Sequence, residues 1–266
     1  MKTSYKLSSA LSFVFVIAVL ASLISCQKVI DVDLKSTEPR IVIQGSITDQ
    51  EGPYSVEIHK TVNFNEVNDF PPVSGALVVI SDDLEDSEIL TETSPGIYTG
   101  SSLQGVPGRT YTLSVKVNDQ EYKAVSTMPL PVEITDLTIR QSDFGPDKVV
   151  DVTFNDILDV DNYYRIIQII NGARQPEIDI YDDEFNNGTE INYTLFTDSE
   201  DVDLQKGDSI VVLLRSIDEP TFEFYRTARE ALGSSQSPAN PNSNLSNGAL
   251  GYFSAYSVRQ DTIIVE

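Results

Sequence analysis

The sequence predicts an all-β protein of two tandem β-sandwiches, the second carrying one helix. Three observations lead there. From Arg40 onward the chain is a series of short apolar/polar alternations separated by turn residues, the period-2 signature of strands rather than of βαβ units. Met128-Pro129-Leu130-Pro131 interrupts the series with two prolines, which withhold backbone donors and stiffen the chain. Only one stretch, near 219–232, repeats its apolar residues at helical spacing.

The first sandwich is expected over 40–127. Strands are read at 40–47, 54–62, 76–81, 88–92, 97–99, 111–117 and 120–127. Because side chains alternate across a strand, Tyr54, Val56, Ile58 and Val62 share one face, and His59 falls on the other, towards solvent. Tyr111, Leu113, Val115 and Val117 repeat the pattern after the turn Pro107-Gly108-Arg109.

With 128–131 as linker, the second sandwich covers 132–266. Strands are expected near 132–140, 147–155, 163–170, 174–181, 190–197, 208–217, 250–258 and 261–265. Ile210-Val211-Val212-Leu213-Leu214 is apolar without alternation, so it should lie centrally with both faces covered. The helix starts at Glu219-Pro220-Thr221, presents Phe222, Tyr225, Ala228 and Leu232 on one side, and ends at Gly233. The loop Ser234–Gly248 is long, polar and rich in turn formers, a kind of loop that often carries function.

Ahead of the strands stands a different kind of segment. Lys2 and Lys6 precede the apolar run Leu11–Ile24, which is shorter than the roughly 20 residues of a spanning helix, and Leu23-Ile24-Ser25-Cys26 closes it. That pattern reads as a lipoprotein signal over residues 1–25 with lipidation at Cys26, followed by a tether over 26–39. Cys26 is the only cysteine, so the mature chain retains no free thiol for disulfides, thiolate metal sites or nucleophilic catalysis. Removal of the signal takes away two lysines and moves the net charge from -23 to -25. Such a surface is repelled by nucleic acid, which is therefore not expected as a partner.

Catalytic chemistry finds little support. The single histidine has no evident partner, Gly-x-Ser-x-Gly is absent, and one imidazole does not make a zinc site. No cofactor is expected, with calcium as the one alternative: carboxylates gather at several turns, and Asp156, Asp159 and Asp161 are the closest-spaced set ahead of a strand. Two acids also suffice chemically for a glycosidase, although nothing singles out a pair. For binding, Tyr252, Phe253 and Asn244 are nominated as a contact surface beside the 234–248 loop, while aromatics at strand positions also serve packing.

Several separated motifs carry a resemblance. Cys26-Gln27-Lys28-Val29-Ile30-Asp31-Val32-Asp33-Leu34, Ile41–Asp49, FPPVSGALVVISDD (70–83), SPGIYTG (94–100), GVPGRTYTLSV (105–115), DNYYRI (161–166) and NPNSNLSNGALGYFSAYSV (240–258) resemble Bacteroidota lipoproteins of domain-of-unknown-function family 4249. The run from Val73-Ser74-Gly75-Ala76 to Tyr111-Thr112-Leu113 is separately similar to transthyretin-like and carboxypeptidase-regulatory domains, so that each sandwich is expected to be transthyretin-like or Ig-like. The family resemblance implies an outer-membrane lipoprotein accessory to a TonB-dependent receptor and brings no catalytic residues with it; together with the poverty of catalytic side chains, this leads to the expectation of a non-enzymatic binding subunit in nutrient uptake. A surface adhesin is the alternative, and a carboxylate-based carbohydrate-active enzyme the third. Gln27 and Lys28 directly after the cysteine leave both the periplasmic and the outer face open.

Overall fold

The alternation read in the second strand is what builds the first core: Tyr54, Val56 and Ile58 are buried, while Ser55, Glu57 and His59 point the other way. The structure, a computed structural model, describes residues 38–63, 69–143, 145, 147–196, 204–233 and 239–266. Cys26, the signal over 1–25 and the tether up to residue 37 lie outside the described residues.

Strands β1 (Ile41–Thr48), β2 (Tyr54–Lys60), β3 (Leu77–Asp82), β4 (Ser87–Ser94), β5 (Ile97–Gly100), β6 (Thr110–Val117) and β7 (Gln120–Thr127) form the first half. Their ladder runs β1-β2-β5-β4-β3-β6-β7. At β4 it passes from one face of the core to the other, with a register shift at Glu92–Ser94. Ile43 and Ile47 at one end of the ladder and Tyr122 and Ala124 at the other share the same core, so the sheet curls around it.

The second half holds β8 (Ile134–Gln141), β9 (Lys148–Asn155), β10 (Tyr163–Ile170), β11 (Ala173–Arg174), β12 (Asp179–Asp182), β13 (Glu190–Leu195), β14 (Ser209–Ile217), α1 (Glu219–Gly233) and β15 (Leu250–Ile264). A three-stranded sheet β13-β9-β8 faces β10, β14 and the end of β15 across a core of Val150, Val152, Phe154, Tyr164, Ile166 and Val212. Helix α1 covers the opposite face of the β10-β14-β15 sheet through Phe222 and Tyr225. The all-β fold with one helix is thus as the sequence predicts. Core membership changes hands at the proline segment, since Met128 belongs to the first core and Val132 to the second.

Three local features differ from expectation. The strand expected over 174–181 is two short ones, because Pro176 lacks an N–H and the carbonyl of Glu177 turns instead to the guanidinium of Arg165, 3.1 Å away. The strands expected at 250–258 and 261–265 are one strand of 15 residues that changes partner midway: Leu250–Tyr256 run parallel to β1, and Ser257–Ile264 run antiparallel to β14. Leu245, Ala249, Phe253 and Ala255 therefore return to the first core, and β15 joins the two halves. His59 is half-covered instead of facing open solvent, with its ring 5.6 Å from that of Phe70, and burial lowers its pKa.

Helix α1 is capped by Asp218, whose Oδ1 accepts from the Thr221 amide at 3.2 Å and from its hydroxyl at 2.5 Å. Its second oxygen accepts from the Thr127 amide at 3.2 Å, tying the helix to β7.

A second carboxylate fixes the first sandwich. Glu88 accepts from the Tyr54 hydroxyl and from the amides of Ser101, Ser102 and Leu103. Burial alone would raise its pKa, but these donors prevail and bring it down to about 2 from an ordinary 4.5. With the folded pKa depressed, the stabilisation is complete above about 4.5 and is lost as the pH falls towards 2. Glu88→Gln should accordingly lower stability at neutral pH and flatten the loss between those two values, read as the difference between variant and parent in urea unfolding across pH. Curves that stay parallel down to the lower value would remove Glu88 from the acid response.

Candidate functional site

In β10 and β14 a single charged residue, an arginine, stands within a mostly apolar strand, and the register sets the two directly opposite each other: Arg165 pairs with Arg215. Both lie on the face under α1. Arg165 is 3 % exposed and sits 4.7 Å from the Tyr225 ring centroid, and its terminal nitrogens donate to the carbonyls of Glu177 and Asp179. Arg215 lies 4.2 Å over the Tyr256 ring. The buried Nε of each has no hydrogen-bond partner among the described residues. Burial and the neighbouring cations Arg174 and Arg215 lower the pKa of Arg165, with Tyr225 and Asp179 opposing.

Beside this layer the sheet opens into a groove of about 720 Å³, lined by Asp49, Leu213, Arg215, Tyr256, Val258 and Gln260 among others. Asp49 is already committed there. Its carboxylate takes Arg259 at 2.7 Å and the Val258 amide at 3.0 Å, and Arg259 also reaches Glu133 at 2.6 Å. Burial raises the Asp49 pKa, but Arg259, Gln50 and the Val258 amide outweigh it, so the net shift is downward. Arg215 is left as a cation facing the groove, and among the described residues it has no carboxylate at ion-pair distance.

The family model for "Domain of unknown function (DUF4249)" matches residues 27–262. The chain belongs to the DUF4249 family. No curated protein matches it.

In this DUF4249 chain the residues nominated from sequence take mainly structural places. Phe253 is fully buried in the first core, so packing replaces the expected surface role. Asn244 uses its side-chain amide like a short strand: Nδ2 donates to the Phe253 carbonyl at 2.7 Å and Oδ1 accepts its N–H at 3.0 Å. Tyr252 is half-buried, stacks on Phe224 with ring centroids 4.6 Å apart and takes the Tyr225 hydroxyl at 2.8 Å. The described part of the loop is laid down by further bonds, Asn247 to the Glu121 carbonyl at 2.6 Å and Ser246 to that of Lys123 at 2.8 Å. Residues 234–238 lie outside the described residues.

The three aspartates diverge. Asp156 is buried, accepting from the Tyr164 hydroxyl at 2.5 Å and the Gly188 amide at 2.8 Å. Asp159 and Asp161 are exposed. Among the described residues no three His, Cys, Asp or Glu side chains come together in a way that would hold an ion. Asp156→Ala strands the buried Tyr164 hydroxyl and frees the part-buried Gly188 amide, and should cost about 2–3 kcal/mol in urea unfolding, equally with and without calcium. A calcium-dependent stabilisation of the parent that vanishes in the variant would instead make Asp156 a ligand.

Sequence reasoning passed over Arg165 and Arg215. The available signal was a lone guanidinium inside each of two apolar strands, since a buried charge is costly and calls for a reason.

Proposed function

We propose that this DUF4249 chain is a non-enzymatic, lipid-anchored binding protein of the outer membrane, serving a TonB-dependent receptor as an accessory subunit in nutrient uptake. The observation that carries the binding part is the Arg215 groove. Among the described residues that line it, the one carboxylate, Asp49, is paired with Arg259, so the groove offers the Arg215 cation for a ligand. The membrane part rests on the signal ending at Cys26. Glu38 lies twelve positions after Cys26, which limits the reach to about 40 Å at full extension. A body held that close suits a membrane-embedded partner better than a distant one.

Crosslinking and pull-down of tagged full-length protein from intact outer membranes tests this, with Cys26→Ala as control. Recovery of a TonB-dependent receptor with the lipidated form alone is the expected result. Lipidated protein that comes down alone or with extracellular polymer overturns it in favour of an adhesin.

A further inference from the structure

The geometry points to the Arg215 groove as a binding site for an organic carboxylate with a flat or apolar body. This inference rests on the binding role proposed above and names the ligand class for it. A guanidinium is permanently charged and presents a planar fork that matches a carboxylate with two parallel hydrogen bonds. Arg215 lines the groove, its buried Nε has no hydrogen-bond partner, and its side chain has no carboxylate at ion-pair distance among the described residues. Its guanidinium lies 4.2 Å over the face of Tyr256, a contact that restrains the plane of the fork without using its donors.

Arg165 adds to the pull. It sits opposite Arg215 in the ladder, donates to two backbone carbonyls and meets the Tyr225 ring, so two cations stand side by side and, among the described residues, neither has a carboxylate at ion-pair distance, although Asp179 acts on Arg165 from further off. Like charges directly opposite each other in a sheet are destabilising, and an unpaired buried donor costs further. A bound anion relieves both. In a chain of net charge -23 the groove is thus a local positive site.

The body of the ligand follows from the walls. Leu213, Val258 and the Tyr256 ring flank the guanidinium, giving apolar surface to a ring or aliphatic chain attached to the carboxylate. Gln260 and Gln50 add neutral amide groups to the lining, the Gln50 nitrogen already donating to Asp49 at 3.1 Å. Inorganic phosphate would meet the charge and leave the apolar walls empty.

Isothermal titration of the full-length, detergent-solubilised lipoprotein with benzoate, benzamide and inorganic phosphate distinguishes these chemistries. Benzoate should bind, with benzamide and phosphate at least 10-fold weaker, and Arg215→Gln should reduce benzoate affinity at least 10-fold. Should that variant fail to fold, Arg215→Lys keeps the charge and stem while removing the fork, and the same direction of loss is expected. Absence of benzoate binding, benzoate binding untouched by either variant, or phosphate binding as tightly as benzoate would each overturn the assignment. The titration needs no receptor, so a failed pull-down leaves it standing, and a failed titration leaves the receptor association standing.

Discussion

Gly251→Ala should destabilise the protein by about 3 kcal/mol or more, one of the two largest effects expected of a single substitution here. Gly251 pairs with Ile43 in the parallel ladder between β15 and β1, at a φ of +91°. A Cβ there would lie 2.0 Å from the Ile43 carbonyl oxygen and 2.9 Å from its carbon. Those are backbone atoms of a fully buried residue, so relief requires the two strands to part. Gly172, in the turn between β10 and β11, provides the control. Its φ of +83° is comparable, yet an added Cβ meets nothing within 4 Å. Gly172→Ala should therefore carry the dihedral cost alone, about 1 kcal/mol, and the difference between the two in urea unfolding isolates the collision. Equal losses would mean that the β1–β15 contact yields easily.

Phe253→Ala should cost about 3–5 kcal/mol, the usual range for emptying a large aromatic site in a core that cannot collapse around it. The side chain is fully buried with Ile43, Ile47 and Tyr98 as members of the same core. The location of the damage is the sharper test. Amides of β2 and β6 should lose hydrogen-exchange protection, although Phe253 follows them by well over a hundred residues. Protection lost only in β10 and β14 would show that the first sandwich stands without β15.

Much of the secondary structure is legible in the sequence because alternation is a local property. In β6, Tyr111, Leu113 and Val115 show their burial in the order of residue types, and the helix announces itself through Phe222 and Tyr225 at 3.6-residue spacing. Partner choice is not local. Nothing in Ile41–Thr48 says that it will lie parallel to Leu250–Tyr256, and the polar Arg259-Gln260-Asp261 reads as a break although it runs on as strand along β14. The site was hidden for the same reason. Arg165 and Arg215 are 50 positions apart and become neighbours only through the β10–β14 register. Aromatic composition points to Tyr252, Phe253 and Tyr256 together, but only the fold shows that Tyr256 meets the Arg215 guanidinium while Phe253 is buried in the first core.

The shared strand also sets the order of events when the chain is made. β1 leaves the ribosome about 200 residues before the segment that will lie beside it, so one of its edges waits unpaired while both sandwiches lack their common member. Closing so long a loop is slow relative to local hairpins. A nascent chain that stops short of Leu250 has neither core complete, and the polypeptide stays in an open, threadable form until its final stretch has emerged. Lateness of folding thus follows from topology, and the same strand that delays the fold locks it once it is in place.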